Sequence, residues 1–364
     1  MRIMKSTDDL RVKGYQKLVA PGTLKQDLAM SPTAHATVLS GRQAIEKILQ
    51  KEDQRLLVIA GPCSVHDEKA VFEYAEKLKK LSDAVSEALF VVMRVYFEKP
   101  RTTVGWKGLI NNPRLDGSCD IPDGLSKARE ILLRVNEIGV PAATEFLETI
   151  TPQYVADLVS WACIGARTTE SQTHREIASG LSMPVGFKNG TDGMLATAIN
   201  AIVAAKTPQS FLGIDQNGHT CVVDTGGNPW AHIVLRGGQQ PNYDPISIEQ
   251  ARLKLIEKDL PENIMVDCSH GNSMKKHQGQ AIVWRNVIDQ YIAGNDSVIG
   301  LMLESNLFAG NQKFSGDLSA LKYGVSITDE CISWDTTEQL LLSATEKLVA
   351  SSKLSSSDRW VRAL

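Results

Sequence analysis

Leu56-Leu57-Val58-Ile59-Ala60-Gly61-Pro62-Cys63 is an apolar run that stops at Gly-Pro and a thiol. Five apolar residues bounded by Gly-Pro read as a buried strand. The pattern recurs seven times downstream. Phe90–Met93 stops at Arg94, Val140–Thr144 at Glu145, Cys163–Ala166 at Arg167, and Pro184–Phe187 at Lys188. His232–Leu235 stops at Arg236, Ile264–Cys268 at Ser269-His270, and Val298–Leu303 at Glu304. Near-continuous apolar runs are what parallel strands covered on both faces require. Eight of them, each ending in a polar or ionisable group, predict an α/β chain folded as a (β/α)8 TIM barrel. In that fold the chemistry gathers at the C-terminal ends of the strands.

Helical patterns separate the strands, as crossover connections require. They cover Lys69–Leu81, Gly124–Glu137, Gln153–Trp161, Thr173–Leu181, Asp192–Ala205, Ser247–Lys258, Gln280–Ala293 and Thr336–Ser352. Residues 1–50 form an N-terminal extension with a helix expected at Gly41–Lys51, where Ile45, Ile48 and Leu49 share a face. The barrel spans 51–350, and a Ser-rich tail, 351–364, is expected to be mobile. Phe211–Gly227 breaks the rhythm: two β-rich runs flank Gln216-Asn217-Gly218, and Asn-Gly marks an inserted β-hairpin over 211–227.

At 364 residues with 43% hydrophobic and 22% charged residues, the chain can bury one large core or two ordinary ones. A net charge of -3 gives no electrostatic reason to expect nucleic acid or an anionic membrane as partner. No apolar stretch approaches a membrane span or a secretory signal. The six cysteines include no CxxC pair, which speaks against a zinc ribbon or a disulfide scaffold. Free thiols suit a reducing compartment, so the cytoplasm is expected.

Arg94, Arg167, Lys188 and Arg236 put cations at four strand ends, and Lys99 and Arg101 follow the second strand. Converging cations repel by several kcal/mol, on the order of Coulomb's law at short range, unless anions join them. Arginine forks match phosphate and carboxylate. Six cations exceed the need of one phosphate, so two phosphorylated substrates or one bisphosphate are expected. Scattered surface charge is the plainer reading of any one of these residues, but not of the set.

Cys63, His270, Glu304 and Asp329 make a mixed thiol, imidazole and carboxylate set. Barrel closure makes the last strand the neighbour of the first, so these groups meet. They suit one divalent ion, Mn, Fe, Co or Zn. Taken singly, Cys63 reads as an inert buried thiol, His270 as a hydrogen-bonded core group and Glu304 as an ion-pair partner. Cys63 as a covalent nucleophile is the rival reading and needs a lowered thiol pKa. His66 and His174 rank below His270. Gly190-Thr191-Asp192-Gly193 and Arg236-Gly237-Gly238 fit phosphate-binding turns or plain βα turns equally, and no P-loop or Rossmann fingerprint is present.

Gly61–His66, the stretch Arg94–Gly108 (RVYFEKPRTTVGWKG), Gly165–Gln172, Gly186–Gly193, Asp267–Ser273 and Ser326–Asp329 resemble 3-deoxy-D-arabino-heptulosonate-7-phosphate (DAHP) synthase of the short bacterial and yeast class. The resemblance runs from about Asp8 to Trp334. It implies condensation of phosphoenolpyruvate with erythrose 4-phosphate, the first step of the shikimate pathway. By motif it makes Cys63, His270, Glu304 and Asp329 the metal ligands. It assigns Arg94, Arg167, Lys188 and Arg236 to phosphoenolpyruvate and places Lys99 near both substrates. Arg101 and Thr102 fall to the phosphate of erythrose 4-phosphate. Cys63, Lys99 and His270 are the implied catalytic groups. Lys99 or His270 moves the protons, and Glu145 orients a lysine or water or serves only as an ion-pair partner.

The resemblance also implies feedback control and a homo-oligomer, dimer or tetramer. An aromatic amino acid would sit by Phe146, Thr149, Gln153, Ser182, Phe211, Gly213 and Val223, with Asp8 and Asp9 from a neighbouring subunit. Glycine at 213 points to tyrosine as the effector. Alternatives remain open. They are a related octulosonate 8-phosphate synthase, a class II aldolase, and a non-catalytic barrel that binds an aromatic amino acid. A hairpin serving only an oligomer interface is also open.

Overall fold

A computed structural model describes residues 6–352. Eight parallel strands close on themselves: β1 (Leu56–Gly61), β2 (Leu89–Arg94), β3 (Ala142–Glu145), β4 (Trp161–Ile164) and β5 (Val185–Lys188), with β6 (Ser210–Ile214) and β7 (Thr220–Asp224) set aside as the inserted hairpin, then β8 (Ala231–Leu235), β9 (Ile264–Asp267) and β10 (Val298–Glu304). Around the barrel β5 pairs directly with β8, and β10 closes on β1 with Leu57 opposite Gly300 and Gly61 opposite Glu304. The expected (β/α)8 barrel is what the chain forms.

Strand residues alternate between two cores, as the period of two demands. Leu57 and Ile59 point inward and pack with Val92, Ala143, Cys163, Val234, Met265 and Met302. Leu56, Val58 and Ala60 point outward against the helices. The Trp161 indole fills the inner layer, and a side chain at Gly186 would collide with it. Its Nε1 donates to His232 Nε2 at 3.2 Å.

The helices are α1 (Pro21–Asp27), α2 (Pro32–Leu49), α3 (Glu68–Ala84), α4 (Ile121–Ile138), α5 (Thr151–Val155), α6 (Gln172–Gly180), α7 (Leu195–Lys206), α8 (Pro245–Ile256), α9 (His277–Ile292) and α10 (Trp334–Ser352). Three expectations need correction. The helix expected at Gly41–Lys51 starts nine residues earlier, because Pro32 takes the first helical position and Ser31 accepts from Ala34 N. Its end carries Ile45, Ile48 and Leu49 into the inner core, so part of the 1–50 extension floors the barrel. Gln153–Trp161 is not one helix: α5 gives way to a 3-10 turn at Ala156–Leu158, and Trp161 opens β4. The run Cys163–Ala166 is not a strand to its end. β4 stops at Ile164, which leaves Arg167 in a turn three residues beyond.

Ser351 and Ser352, placed in the expected tail, are the last residues of α10. The remainder of the tail, 353–364, lies outside the described residues. The hairpin turns as expected: Asp215 Oδ1 accepts from Asn217 N and His219 N, and Gly218 takes a φ of 78°. Among the described residues no helix is long and apolar enough to cross a membrane.

Candidate active site

A cavity of about 280 Å³ opens at the C-terminal ends of the strands. It is lined by Arg94, Lys99, Arg101, Thr102, Glu145, Arg167, Lys188, Arg236, His270 and Asp329, together with Thr191 of the Gly-Thr-Asp-Gly turn. All six expected cations therefore face one space, including Arg167 from its turn.

The cations divide by partner. Arg94 Nη2 meets Glu304 Oε1 at 2.9 Å, and both side chains are 1% exposed. The Arg94 guanidinium also donates to the carbonyls of Pro62 and Cys63 at 3.1 and 3.2 Å and lies 3.6 Å above the Tyr96 ring. Lys188 Nζ meets Asp267 Oδ2 at 2.7 Å. Lys99 Nζ donates to Cys63 O at 3.1 Å and Cys63 Sγ at 3.2 Å. Among the described residues Arg101, Arg167 and Arg236 have no carboxylate within 4.0 Å. Three guanidiniums without counter-charge around one cavity favour an anionic ligand.

Below this ring sit the four metal-type groups. Cys63, Glu304 and Asp329 offer donor atoms all within 4.8 Å of one another. Cys63 Sγ is 3.7 Å from Asp329 Oδ2. His270 Nε2 lies beside this trio, 3.7 Å from Glu304 and 4.0 Å from Asp329, but outside the set whose donor atoms all fall within 4.8 Å of one another. The β1 end supplies Cys63, the turn after β9 supplies His270, the last residue of β10 supplies Glu304, and the loop beyond β10 supplies Asp329. His270 takes a φ of 56°, a left-handed conformation uncommon outside glycine, which aims the ring inward. A soft thiol and two carboxylates around one point, with an imidazole beside the carboxylates, fit a divalent ion.

Burial, with Glu304 beside it, pushes the Cys63 thiol up to about 11 against the pull of Lys99. The neighbouring cations therefore do not by themselves make it a free thiolate, which counts against the covalent reading. Burial works against the charge on Lys99, yet Cys63 and the nearby carboxylates hold its pKa above the ordinary lysine value. Atoms packed around the Asp329 carboxylate oppose its charge even though the side chain is 64% exposed, but Lys99, His270 and Arg94 hold it below the usual carboxylate range.

Sequence reasoning assigned no role to Asp267 or Tyr96. Asp267 is fully buried; its Oδ2 meets Lys188 Nζ at 2.7 Å and His270 Nδ1 at 2.9 Å, and its Oδ1 accepts from Ser269 Oγ and N. An acid inside the otherwise apolar run Ile264–Cys268 was the available signal, since a buried charge demands partners. His66 does not line the cavity. His174 bonds Ser171 Oγ and the Leu147 carbonyl, a structural arrangement.

The expected effector positions are only partly brought together. Gln153 and Ser182 line a second cavity of about 410 Å³ bordered by α2, α5 and the end of α6. The hairpin reaches this region: Gln216 Nε2 donates to Gln153 Oε1 at 3.0 Å, and Gly22 N donates to Gln216 O at 2.7 Å. Phe211 and Val223 are cross-strand partners, and Gly213 follows on the same face. Phe146 is fully buried in the outer core, and Thr149 is exposed in the turn before α5. Asp8 and Asp9 lie in the exposed N-terminal segment, where Asp9 accepts from Tyr15 Oη at 2.6 Å.

A family model described as the DAHP synthetase I family matches residues 30–342. The chain is 52% identical over 334 residues to a Tyr-sensitive phospho-2-dehydro-3-deoxyheptonate aldolase of Salmonella typhimurium, covering 92% of this chain and 94% of that protein. It is 52% identical over 335 residues to a Phe-sensitive aldolase of the same name from Escherichia coli (92% and 95% covered). Against the Trp-sensitive Escherichia coli protein it is 51% identical over 338 residues (93% and 97% covered). Among solved structures, the phospho-2-dehydro-3-deoxyheptonate aldolase of Francisella tularensis superposes with a TM-score of 0.91 at 43% identity, covering 93% of this chain and 99% of that one.

Proposed function

The chain belongs to the DAHP synthetase I family, and we propose that its barrel mouth condenses phosphoenolpyruvate with erythrose 4-phosphate and water to give DAHP and inorganic phosphate, the first step of the shikimate pathway. The observation that carries this reading is one cavity ringed by six cations above a thiol, imidazole and dicarboxylate cluster. Two phosphorylated substrates supply the anions that Arg101, Arg167 and Arg236 lack. Arg94, Arg167, Lys188 and Arg236 hold phosphoenolpyruvate. Arg101 and Thr102, on the loop after β2, hold the phosphate of the aldose. Holding both in one cavity converts a bimolecular encounter into positioning.

Cys63, His270, Glu304 and Asp329 would hold the metal on which the family depends; a divalent ion there supplies Lewis-acid polarisation of an aldehyde oxygen. We assign proton delivery to Lys99 rather than His270. Both ring nitrogens of His270 are engaged, Nδ1 by the Ser269 hydroxyl and Asp267, and Nε2 beside the carboxylates of Glu304 and Asp329. Lys99 Nζ gives two of its three protons to Cys63 O and Sγ, which leaves the third for a forming hydroxyl. Glu145, on the cavity wall, is placed to orient water.

Feedback inhibition by an aromatic amino acid follows from the family, and we propose tyrosine. A Cβ at Gly213 would lie 2.8 Å from Val223 Cγ2, so glycine keeps the hairpin face open. The second cavity, the hairpin face and the N-terminal segment of a neighbouring subunit would form that site, in a cytoplasmic dimer or tetramer.

Phosphate release from phosphoenolpyruvate, measured with erythrose 4-phosphate and separately with arabinose 5-phosphate, tests the reaction. Release with the four-carbon sugar supports it. Release only with the five-carbon sugar assigns the octulosonate reaction, and failure to consume phosphoenolpyruvate with either points to an aldolase or a non-catalytic barrel.

A further inference from the structure

We propose that Asp267 is a positioning residue that ties the metal cluster to the anion site, a proposal resting on the reading of those two sites given above. One carboxylate oxygen serves both halves. Asp267 Oδ2 receives Lys188 Nζ at 2.7 Å and lies 2.9 Å from His270 Nδ1, which also meets the Ser269 hydroxyl at 2.7 Å. The other oxygen is fixed by the Ser269 hydroxyl at 2.7 Å and the Ser269 amide at 3.0 Å. With no solvent exposure, the carboxylate cannot turn to water in place of these partners.

Two consequences follow from that geometry. The Ser269 hydroxyl gives its one proton to Asp267 Oδ1, so both it and Oδ2 can only accept at Nδ1; the proton sits there, which leaves Nε2 as the imidazole's free lone pair, directed at Glu304 and Asp329. Carboxylate contact to the far nitrogen also raises the basicity of a ligating imidazole. On the other side, the same charge holds the Lys188 ammonium at the cavity wall, where an unpaired buried ammonium would be costly. An ion drawing on His270 and an anion drawing on Lys188 therefore both pull on Asp267, and binding at one site alters the grip at the other.

Asp267→Asn keeps the shape and removes the shared charge. The test is titration of the substrate-free protein with Mn²⁺, alongside the KM for phosphoenolpyruvate at saturating Mn²⁺. The expected result is Mn²⁺ binding weaker by about 10- to 100-fold, the range seen when the outer partner of a metal-bound histidine is lost, with a raised KM once the metal is saturating. In wild type, phosphoenolpyruvate should shift the Mn²⁺ dissociation constant, and the shift should vanish in the variant. Mn²⁺ affinity within twofold of wild type, or an unchanged shift, would overturn the proposal even if thermal stability falls. If Asp267→Asn does not fold, Ser269→Ala carries the test: it removes the hydroxyl that links Asp267 Oδ1 to His270 Nδ1, and the Mn²⁺ affinity should fall at least threefold, with an unchanged affinity overturning the idea. A wild-type protein that binds Mn²⁺ but does not turn over would defeat the proposed reaction instead, so the two failures are distinct.

Discussion

Replacing Glu304 with alanine isolates the most buried charge pair in the site. Arg94 and Glu304 meet at 2.9 Å, each 1% exposed, so the substitution leaves a guanidinium in the barrel with only the Pro62 and Cys63 carbonyls, the Met302 sulfur and the Tyr96 ring around it. Losing one partner of a buried pair costs about 3–5 kcal/mol, a large part of an ordinary stability of about 5–15 kcal/mol. Adding Arg94→Met removes the orphaned charge and should recover about 1–3 kcal/mol of that loss. Recovery stays incomplete because two carbonyls lose their donor, at about 1 kcal/mol each. Urea unfolding followed by far-UV circular dichroism, in chelator so that no ion contributes, reads all three proteins. The expected midpoint order is wild type, then the double variant, then Glu304→Ala. A double variant less stable than Glu304→Ala would refute the claim that the charges are held by each other.

Three further outcomes follow. A methyl at Gly165 would strike Glu145 Oε1, so Gly165→Ala should push that carboxylate into the cavity and lower kcat/KM at least tenfold with little change in Tm; steady-state kinetics with a thermal melt checks this. Burial pushes Glu98 up to about 8, against the hydrogen bonds it accepts from Leu147 N, Glu148 N and Thr151 Oγ1. The folded state then holds a proton that the unfolded chain has released, so the contribution of Glu98 to stability is fully present below about 4.5 and is lost as pH rises toward about 8, on the order of 5 kcal/mol at most. Glu98→Gln, which cannot ionise, should flatten the Tm profile between those pH values, and an unchanged slope would assign it to other groups. Gly213→Ser should crowd Val223 and weaken inhibition by tyrosine at least fivefold without altering either substrate KM, as initial-rate inhibition curves would show.

The barrel was legible because parallel strands covered on both faces leave long apolar runs, and each run here stops at a group with chemistry. All six cations line one cavity, and Cys63, Glu304 and Asp329 come together with His270 beside them, as the strand ends and the loops that follow them implied. Boundaries were less legible. Cys163-Ile164-Gly165-Ala166 continues apolar past the last ladder bond, which hid the turn that carries Arg167. Trp161 fits a helical period but is claimed by the barrel interior, where Gly186 leaves room for it. Asp267 was hidden because a single acid in an apolar run carries no spacing signal; its partners, Lys188 and His270, come from β5 and the turn after β9 and meet only on closure. The effector region was least legible, since its parts lie on the hairpin, α5, α6 and the N-terminal segment, and nothing in their local patterning joins them.

Chelating the purified protein, then assaying phosphoenolpyruvate consumption with erythrose 4-phosphate before and after adding back Mn, Co or Zn, addresses the convergence of donors and cations most directly. The geometry predicts loss of turnover on chelation and its return with about one equivalent of ion per chain. Full turnover in the chelated protein, or none after any ion is restored, would contradict it.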